Sequence, residues 1–308
     1  MSEVIEATGL TRRYGSRRGV VELSFGVDEG EVFGFLGPNG AGKTTTIRLL
    51  LGAIRPNGGK ARIFGLDTWA QAAAVHHNLA YLGSDPGFLG ELTVAEQLDY
   101  LAGLRGLPAG AWRRLAERLE LDRTTKIRKL SRGNRQKVGV VSVFMGREKL
   151  LIMDEPTSGL DPLMQREFLS LISEARSEGR TVFLSSHNLP EVERCCDRVA
   201  VIREGRLTEV GPVQALLGEH WRSVNLALAE AHDPGVFEMP DVEVIADSGR
   251  EVHLMVRGDV RPLLRRIVEL ELRDVAITTP DVEDVFLRFY ESDAAPATPA
   301  TASRNQLT

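Results

Sequence analysis

The run Gly37-Pro38-Asn39-Gly40-Ala41-Gly42-Lys43-Thr44, followed by Thr45, carries the clearest chemistry in the chain. It fits G-x-x-x-x-G-K-[ST], a pattern that wraps a polyphosphate. Glycines let backbone N–H groups close around a phosphate without side-chain clashes. The helix that should follow presents its positive end to the same anion. Lys43 is placed to reach the β- and γ-phosphates, and the Thr44 hydroxyl suits Mg²⁺. A chain of 308 residues would show this pattern by chance about one time in a hundred at average residue usage. The expected ligand is a nucleoside triphosphate, ATP above all, held from Gly37 to Thr45.

Leu150-Leu151-Ile152-Met153-Asp154-Glu155 is the second chemical element. An apolar run ends in two carboxylates. Asp154 is expected to hold Mg²⁺ through water. Glu155, one residue on, could polarise an attacking water, and such a base contributes typically about 10²–10⁴-fold. An Asp-Glu strand end is weak evidence alone, and its weight comes from the phosphate loop.

These residues need a frame. The run Glu31–Leu36 reads as a strand leading into the loop, and Thr45–Leu51 as a helix leaving it. Further strand candidates are Val4–Thr8, Leu79–Gly83, Leu150–Met153, Thr181–Ser185 and Val199–Arg203. Helical stretches separate several of them, so a mostly parallel sheet covered by helices is expected. The segment to about Asp28 reads as antiparallel hairpins. Thr93 and Glu96 form a capping box, with Val94, Leu98 and Leu101 on one face. Asp161-Pro162 is an N-cap followed by a first-turn proline, and Gly179 can end that helix. Arg203 to Arg206 reads as a tight turn.

A second region begins near Gly218. Ser223–Ala229, Val242–Ala246 and Glu251–Val256 alternate as strands, with a hairpin turn at Asp247-Ser248-Gly249-Arg250. Val260–Leu272 reads as a helix with Leu263, Leu264, Ile267 and Leu270 as its apolar stripe. Val275–Thr278 reads as a strand, and Thr279-Pro280 opens a helix bearing Val282, Val285, Phe286 and Phe289. This predicts a small α+β domain. Ser292–Thr308, rich in Ala, Pro, Ser and Thr, reads as a disordered tail.

Composition sets bounds. Hydrophobic residues are 43% and charged residues 26%, as in ordinary globular proteins. The net charge of −5 disfavours a nucleic-acid partner, which calls for a basic footprint. Cys195 and Cys196 are adjacent and read as reduced thiols. The N-terminus shows no signal-peptide pattern. No apolar run approaches the roughly 18 residues of a spanning helix. His76 and His77 read as surface residues, Trp69 and Trp112 as packing, and Arg12, Arg13, Arg17 and Arg18 as a solvated face.

Between the phosphate loop and Asp154 lies Leu130-Ser131-Arg132-Gly133-Asn134-Arg135-Gln136-Lys137. This resembles the signature motif of ATP-binding cassette (ABC) proteins, usually LSGGQ-x-QR. Ser158-Gly159-Leu160-Asp161 resembles the family's D-loop. His187 resembles its switch histidine, and Tyr14 sits where the family stacks an aromatic on adenine. The resemblance covers about residues 3–215. It implies a P-loop NTPase cassette (residues 1–217, helical insert about 85–146), followed by the α+β domain (218–291) and the tail (292–308).

The resemblance also implies a mechanism: two cassettes close head to tail, and each ATP is completed by the partner's Ser131, Gly133, Asn134 and Asp161. Ser131 and Gly133 are expected just ahead of a helix carrying Val138, Val141 and Met145, whose N-terminus would aim donors at the γ-phosphate. Three positions depart from the pattern, among them Asn134, a shorter amide than the family's Gln. Arg132 brings charge and bulk toward the trans phosphate. Ser84 stands where the family has its Q-loop glutamine, and Ser84 or Asp85 could organise Mg²⁺ or water. The layout resembles drug-exporter cassettes that pair with a separate integral membrane permease, most simply as a homodimer. Such a chain would be cytoplasmic and peripheral on the inner face of the membrane. The alternative is a soluble ABC ATPase of translation or DNA repair. One cassette rather than two, and no long coiled-coil insertion, favour transport.

Overall fold

The computed structural model describes residues 3–15, 17–217, 221–233 and 235–278. They form two compact units that divide between Leu216 and Leu217.

In the first unit, β1 (Glu3–Tyr14) and β2 (Arg17–Asp28) form a hairpin, and β3 (Val32–Leu36) leads into the phosphate loop. Helix α1 (Lys43–Leu50) leaves that loop. It starts two residues earlier than the apolar pattern marks, because Gly42, at φ 114, ends the loop in a conformation that glycine tolerates. β4 (Gly58–Ile63) and β5 (Leu66–Asp67) complete an antiparallel sheet in the order β2-β1-β4-β5. The α2 helix (Ala72–His76) precedes β6 (Leu79–Leu82). The insert then runs through α3 (Val94–Leu104), α4 (Arg113–Arg118), a short 3₁₀ turn (Ile127–Lys129) and α5 (Arg132–Phe144). β7 (Leu150–Asp154), α6 (Pro162–Ser177), β8 (Thr181–Ser186), α7 (Leu189–Cys195), β9 (Arg198–Arg203), β10 (Arg206–Pro212) and α8 (Val213–Leu217) follow.

The central sheet has the order β10-β9-β3-β8-β7-β6 and is parallel except at β10. Every residue of β3, β7 and β8 is buried, as strands covered on both faces must be. Phe25 of β2, Phe33 and Phe35 of β3 and Phe183 of β8 pack with ring centroids 5.5–6.1 Å apart. Each such pair is worth about 0.5–1.5 kcal/mol beyond its area. This cluster fixes the strand that aims the phosphate loop.

The Thr93 hydroxyl accepts from Glu96 N–H, and Glu96 accepts from Thr93 N–H at 2.8 Å, so the capping box starts α3. Asp161 caps α6, with Pro162 next. Glu204 and Gly205, at φ 47 and 80, make the turn between β9 and β10. Trp112 is buried and donates from its indole to Asp99 at 2.7 Å. Trp69, expected as packing, is 45% exposed instead.

The second unit is a four-stranded antiparallel sheet of β11 (Trp221–Leu228), β12 (Val242–Asp247), β13 (Glu251–Arg257) and β14 (Leu272–Thr278), in the order β12-β13-β11-β14. That order and direction match a split β-α-β sheet whose first crossover is a loop. Helix α9 (Arg261–Ile267) packs on one face through Leu263 and Ile267. The helix expected to reach Leu272 ends five residues sooner. Leu270 and Leu272 reach the same core from the turn and from β14, so a helical stripe and a strand entry gave one pattern. The stretch from Thr279, with the expected helix bearing Val282–Phe289 and the tail, lies outside the described residues.

Candidate functional site

The carboxyl ends of β3, β7 and β8 lie side by side, with the loops that carry chemistry leaving from them. A cavity of about 450 Å³ opens there, lined by Asn39, Gly40, Gly42, Lys43, Thr44, Thr45, Ser84, Arg132, Glu155, Ser158 and His187.

Lys43 lies at its floor, 6% exposed. Its ammonium donates to the carbonyls of Gly37 and Pro38 and pairs with Glu155 Oε1 at 3.1 Å. Glu155 Oε2 meets His187 Nδ1 at 2.6 Å. A carboxylate only accepts, so Nδ1 carries the hydrogen. Thr44 Oγ1 donates to Asp154 Oδ2 at 2.7 Å, and Ser185 Oγ donates to Asp154 Oδ1 at 2.6 Å. Those two hydroxyls satisfy a fully buried carboxyl. No side chain caps α1, so its first-turn N–H groups stay available to an anion.

Glu155 is held firmly. Its φ of 51 is uncommon for a residue with a side chain. Its N–H donates to the carbonyl and hydroxyl of Ser185 at 3.2 and 3.1 Å. Gln136, buried in α5, donates from Nε2 to the carbonyl of Pro156 at 3.0 Å, with the Glu155 carbonyl at 3.4 Å. Such over-determination keeps a strained backbone in place. Gly37 N–H donates to the Ser186 carbonyl at 3.2 Å, tying the phosphate loop to β8. Pro38 and Ala41 build the turn itself, with Ala41 N–H donating to Pro38 O at 3.2 Å.

The structure thus brings together Asn39, Gly40, Gly42, Lys43, Thr44, Thr45, Ser84, Glu155 and His187 on one cavity, with Asp154 beneath. It leaves others off it. Tyr14 closes β1, 38% exposed, with the Arg12 guanidinium 5.0 Å over its ring. Ser131 is the N-cap of α5, its hydroxyl accepting from Asn134 N–H at 3.2 Å. Gly133 and Asn134 therefore lie inside the first turn of α5, where Gly133 was expected ahead of the helix. The Asp161 carboxylate is spent on the Met164 and Leu163 N–H groups, which hold its pKa below the usual range. A Cβ on Gly133 would sit 2.4 Å from the Gly159 carbonyl oxygen, so α5 is pressed against the loop after Glu155. Arg132 donates to Ser158 Oγ across that contact at 3.0 Å.

Sequence reasoning missed Ser185, Ser186 and Gln136. The two hydroxyls were visible as polar residues closing the apolar Val182–Leu184 run immediately before His187. Gln136 had no such signal, because a helix-periodic pattern does not say which glutamine turns inward.

Comparison with known proteins agrees with this geometry. The family description "ABC transporter" matches residues 20–158. The chain is similar to the bacitracin transport ATP-binding protein BcrA of Bacillus licheniformis, 35% identical over 301 residues, covering 94% of this chain and 97% of that protein. It is 32% identical over 254 residues to the probable multidrug ABC transporter ATP-binding protein YbhF of Escherichia coli strain K12, covering 80% of this chain and 43% of that protein. Among solved structures, an ATP-binding subunit of an ABC transporter superposes with a TM-score of 0.63 at 31% identity, covering 69% of this chain and 91% of the other. These relatives are named for transport, not for translation or DNA repair. With a P-loop cassette, a phosphate cavity and near-full-length similarity in hand, the chain belongs to the ATP-binding subunits of ABC transporters, the ATPases that power them.

Proposed function

We propose that this chain is the motor of an exporter that binds Mg²⁺-ATP between Gly37 and Thr45 and hydrolyses it with Glu155 as general base. The observation that carries this reading is the chain Lys43–Glu155–His187, at 3.1 and 2.6 Å, beside the 2.7 Å Thr44–Asp154 contact in one cavity. Thr44 and Asp154 offer two hard oxygen donors, with Ser84 on the same cavity wall, and this set fits Mg²⁺. The ion would neutralise charge building between the β- and γ-phosphates. Lys43 holds those phosphates. Glu155 takes the proton of the attacking water, and His187, donating to Oε2, keeps the base oriented.

Ser131, Gly133 and Asn134 of a second copy, with Asp161, complete the site in trans. Ser131 and Asn134 are exposed and clear of the cavity in their own chain, which suits that role. Two identical copies make the simplest assembly. Among the described residues no helix is long and apolar enough to cross a membrane, so a separate permease supplies the path. The insert helix α3 docks it. Leu104 at its end is 67% exposed, with Tyr100 and the nearby Leu89 also exposed. The chain then lies peripherally on the inner face of the membrane. The relatives are named for bacitracin and multidrug transport, so the cargo we propose is a drug of that kind, and the exporter-type layout gives it an outward direction.

The test is a pull-down of tagged Glu155→Gln chain with ATP and Mg²⁺ in mild detergent. A stoichiometric integral membrane protein is the expected partner. Recovery of ribosomes or DNA-repair proteins without one would overturn the transport reading. In parallel, Lys43→Ala should lose tight nucleotide binding, whereas Glu155→Gln should bind and not turn over; normal hydrolysis by Glu155→Gln removes the base assignment.

A further inference from the structure

Glu191 is a buried carboxyl that does not line the phosphate cavity. It lies in the first turn of α7 and is 8% exposed. A buried carboxyl is costly unless hydrogen-bonded, and a leucine there would pack at no such cost. What Glu191 holds is specific. Its Oε2 accepts the Ser186 hydroxyl at 2.6 Å. The same hydroxyl accepts Asn188 N–H at 2.9 Å, so the segment flanking His187 is laced together. Thr157 lies close enough to the carboxyl to lower its pKa, and Oε1 is buried with no hydrogen-bond partner. Burial outweighs these contacts and raises the pKa, and the Glu155 charge adds to the rise.

Glu191 therefore lies close to two segments. One is Ser186-His187-Asn188, which carries the histidine. The other is Pro156-Thr157, the loop directly after Glu155. The 2.6 Å contact of His187 with Glu155 spans these same two segments. We propose that Glu191 is a positioning residue for hydrolysis: with Oε2 on Ser186 and Thr157 beside the carboxyl, it ties the strand end bearing His187 to the loop bearing Glu155. This rests on the reading of Glu155 as general base. A shift of order 1 Å between a base and its orienting group can cost about 100-fold in rate, without any loss of ground-state binding.

The experiment measures steady-state ATPase of the purified full chain, with rates expressed per nucleotide-binding site titrated by a fluorescent ATP analogue. Glu191→Ala should lower kcat about 10- to 100-fold while the affinity for the analogue stays within about threefold. Glu191→Gln should stay within about threefold of wild type, because an amide keeps an acceptor for Ser186 and a polar group for Thr157. Thr157→Val should lower kcat too. The double variant Glu191→Ala/Thr157→Val should be no worse than the poorer single, as for residues acting through one contact network. A wild-type kcat in Glu191→Ala overturns the proposal. So does an equal loss in Glu191→Gln, a parallel loss of analogue binding, or multiplication of the two single effects. Glu155→Gln is run alongside. If it turns over normally, the base assignment fails; if it is dead while Glu191→Ala is normal, only the tie through Glu191 fails.

Discussion

Replacing Gly133 by alanine sets two effects against each other. Alanine is favoured over glycine inside a helix by up to about 1 kcal/mol. At this position, however, the new Cβ would lie 2.4 Å from the Gly159 carbonyl oxygen, a fixed backbone atom. An ordinary carbon–oxygen contact is roughly 1 Å longer, so α5 and the loop Ser158–Asp161 must separate by about that much. Overpacking of this kind typically costs about 1–3 kcal/mol, so the clash outweighs the helix gain. Net stability should fall by up to about 2 kcal/mol. Activity should fall further, because a displacement near 1 Å in groups that complete a reaction site can cost about 100-fold. Gly133 does not line the phosphate cavity, so nucleotide affinity should hold. The assays are urea unfolding, equilibrium binding of a fluorescent ATP analogue and steady-state ATPase. Gly103→Ala is the control: it lies in α3, where an added Cβ would meet nothing within 4 Å, and should stabilise. Wild-type hydrolysis by Gly133→Ala, or loss of analogue binding, would refute the reasoning.

Other expectations concern the frame. Phe183→Ala removes the ring shared by the Phe25, Phe33 and Phe35 contacts, and should cost about 3–5 kcal/mol in urea unfolding. Thr93→Ala breaks the capping box of α3 and should cost about 1 kcal/mol, read from the same experiment. The Thr125 hydroxyl, then the Thr124 N–H and hydroxyl, hold the exposed Asp122 carboxyl at about 2, from an ordinary value of 3.8. A depressed pKa stabilises the fold above the unfolded value and loses that effect as pH falls through the folded one. The stability gap between wild type and Asp122→Asn should therefore be constant down to about pH 4 and close toward pH 2.

Much of the site was legible because its motifs are local. The phosphate loop and Asp154-Glu155 each follow an apolar run that is hard to read otherwise, His187 follows the Val182–Leu184 run after two serines, and the sheet then carries them to one edge. What sequence could not show was contact between segments. Ser185 and Ser186 connect three loops only because β8 lies between β3 and β7. Gly133 needs to be glycine because of Gly159, which is distant in sequence. Trp69 reads as core by type, but its indole is left 45% exposed, and residue type alone does not register that. In the second unit, the spacing of Leu263, Ile267 and Leu270 continued a helix past its end because the turn and β14 supply the next apolar contacts to the same core.

The strand order has a consequence for how the chain is made. Val32 of β3 pairs with Val182 of β8, and Phe33 with Arg198 of β9. At about 5–20 residues per second, a ribosome needs roughly 8–30 s to go from the first of these strands to the second. Throughout that interval Val-Phe-Gly-Phe-Leu is finished but has neither neighbour, and it is an apolar edge of the sort that aggregates. The phosphate loop is thus among the first functional parts synthesised and among the last to acquire its shape. A nascent chain arrested before Thr181 should carry the whole Gly37–Thr45 run yet fail to retain ATP, and should recruit chaperones instead.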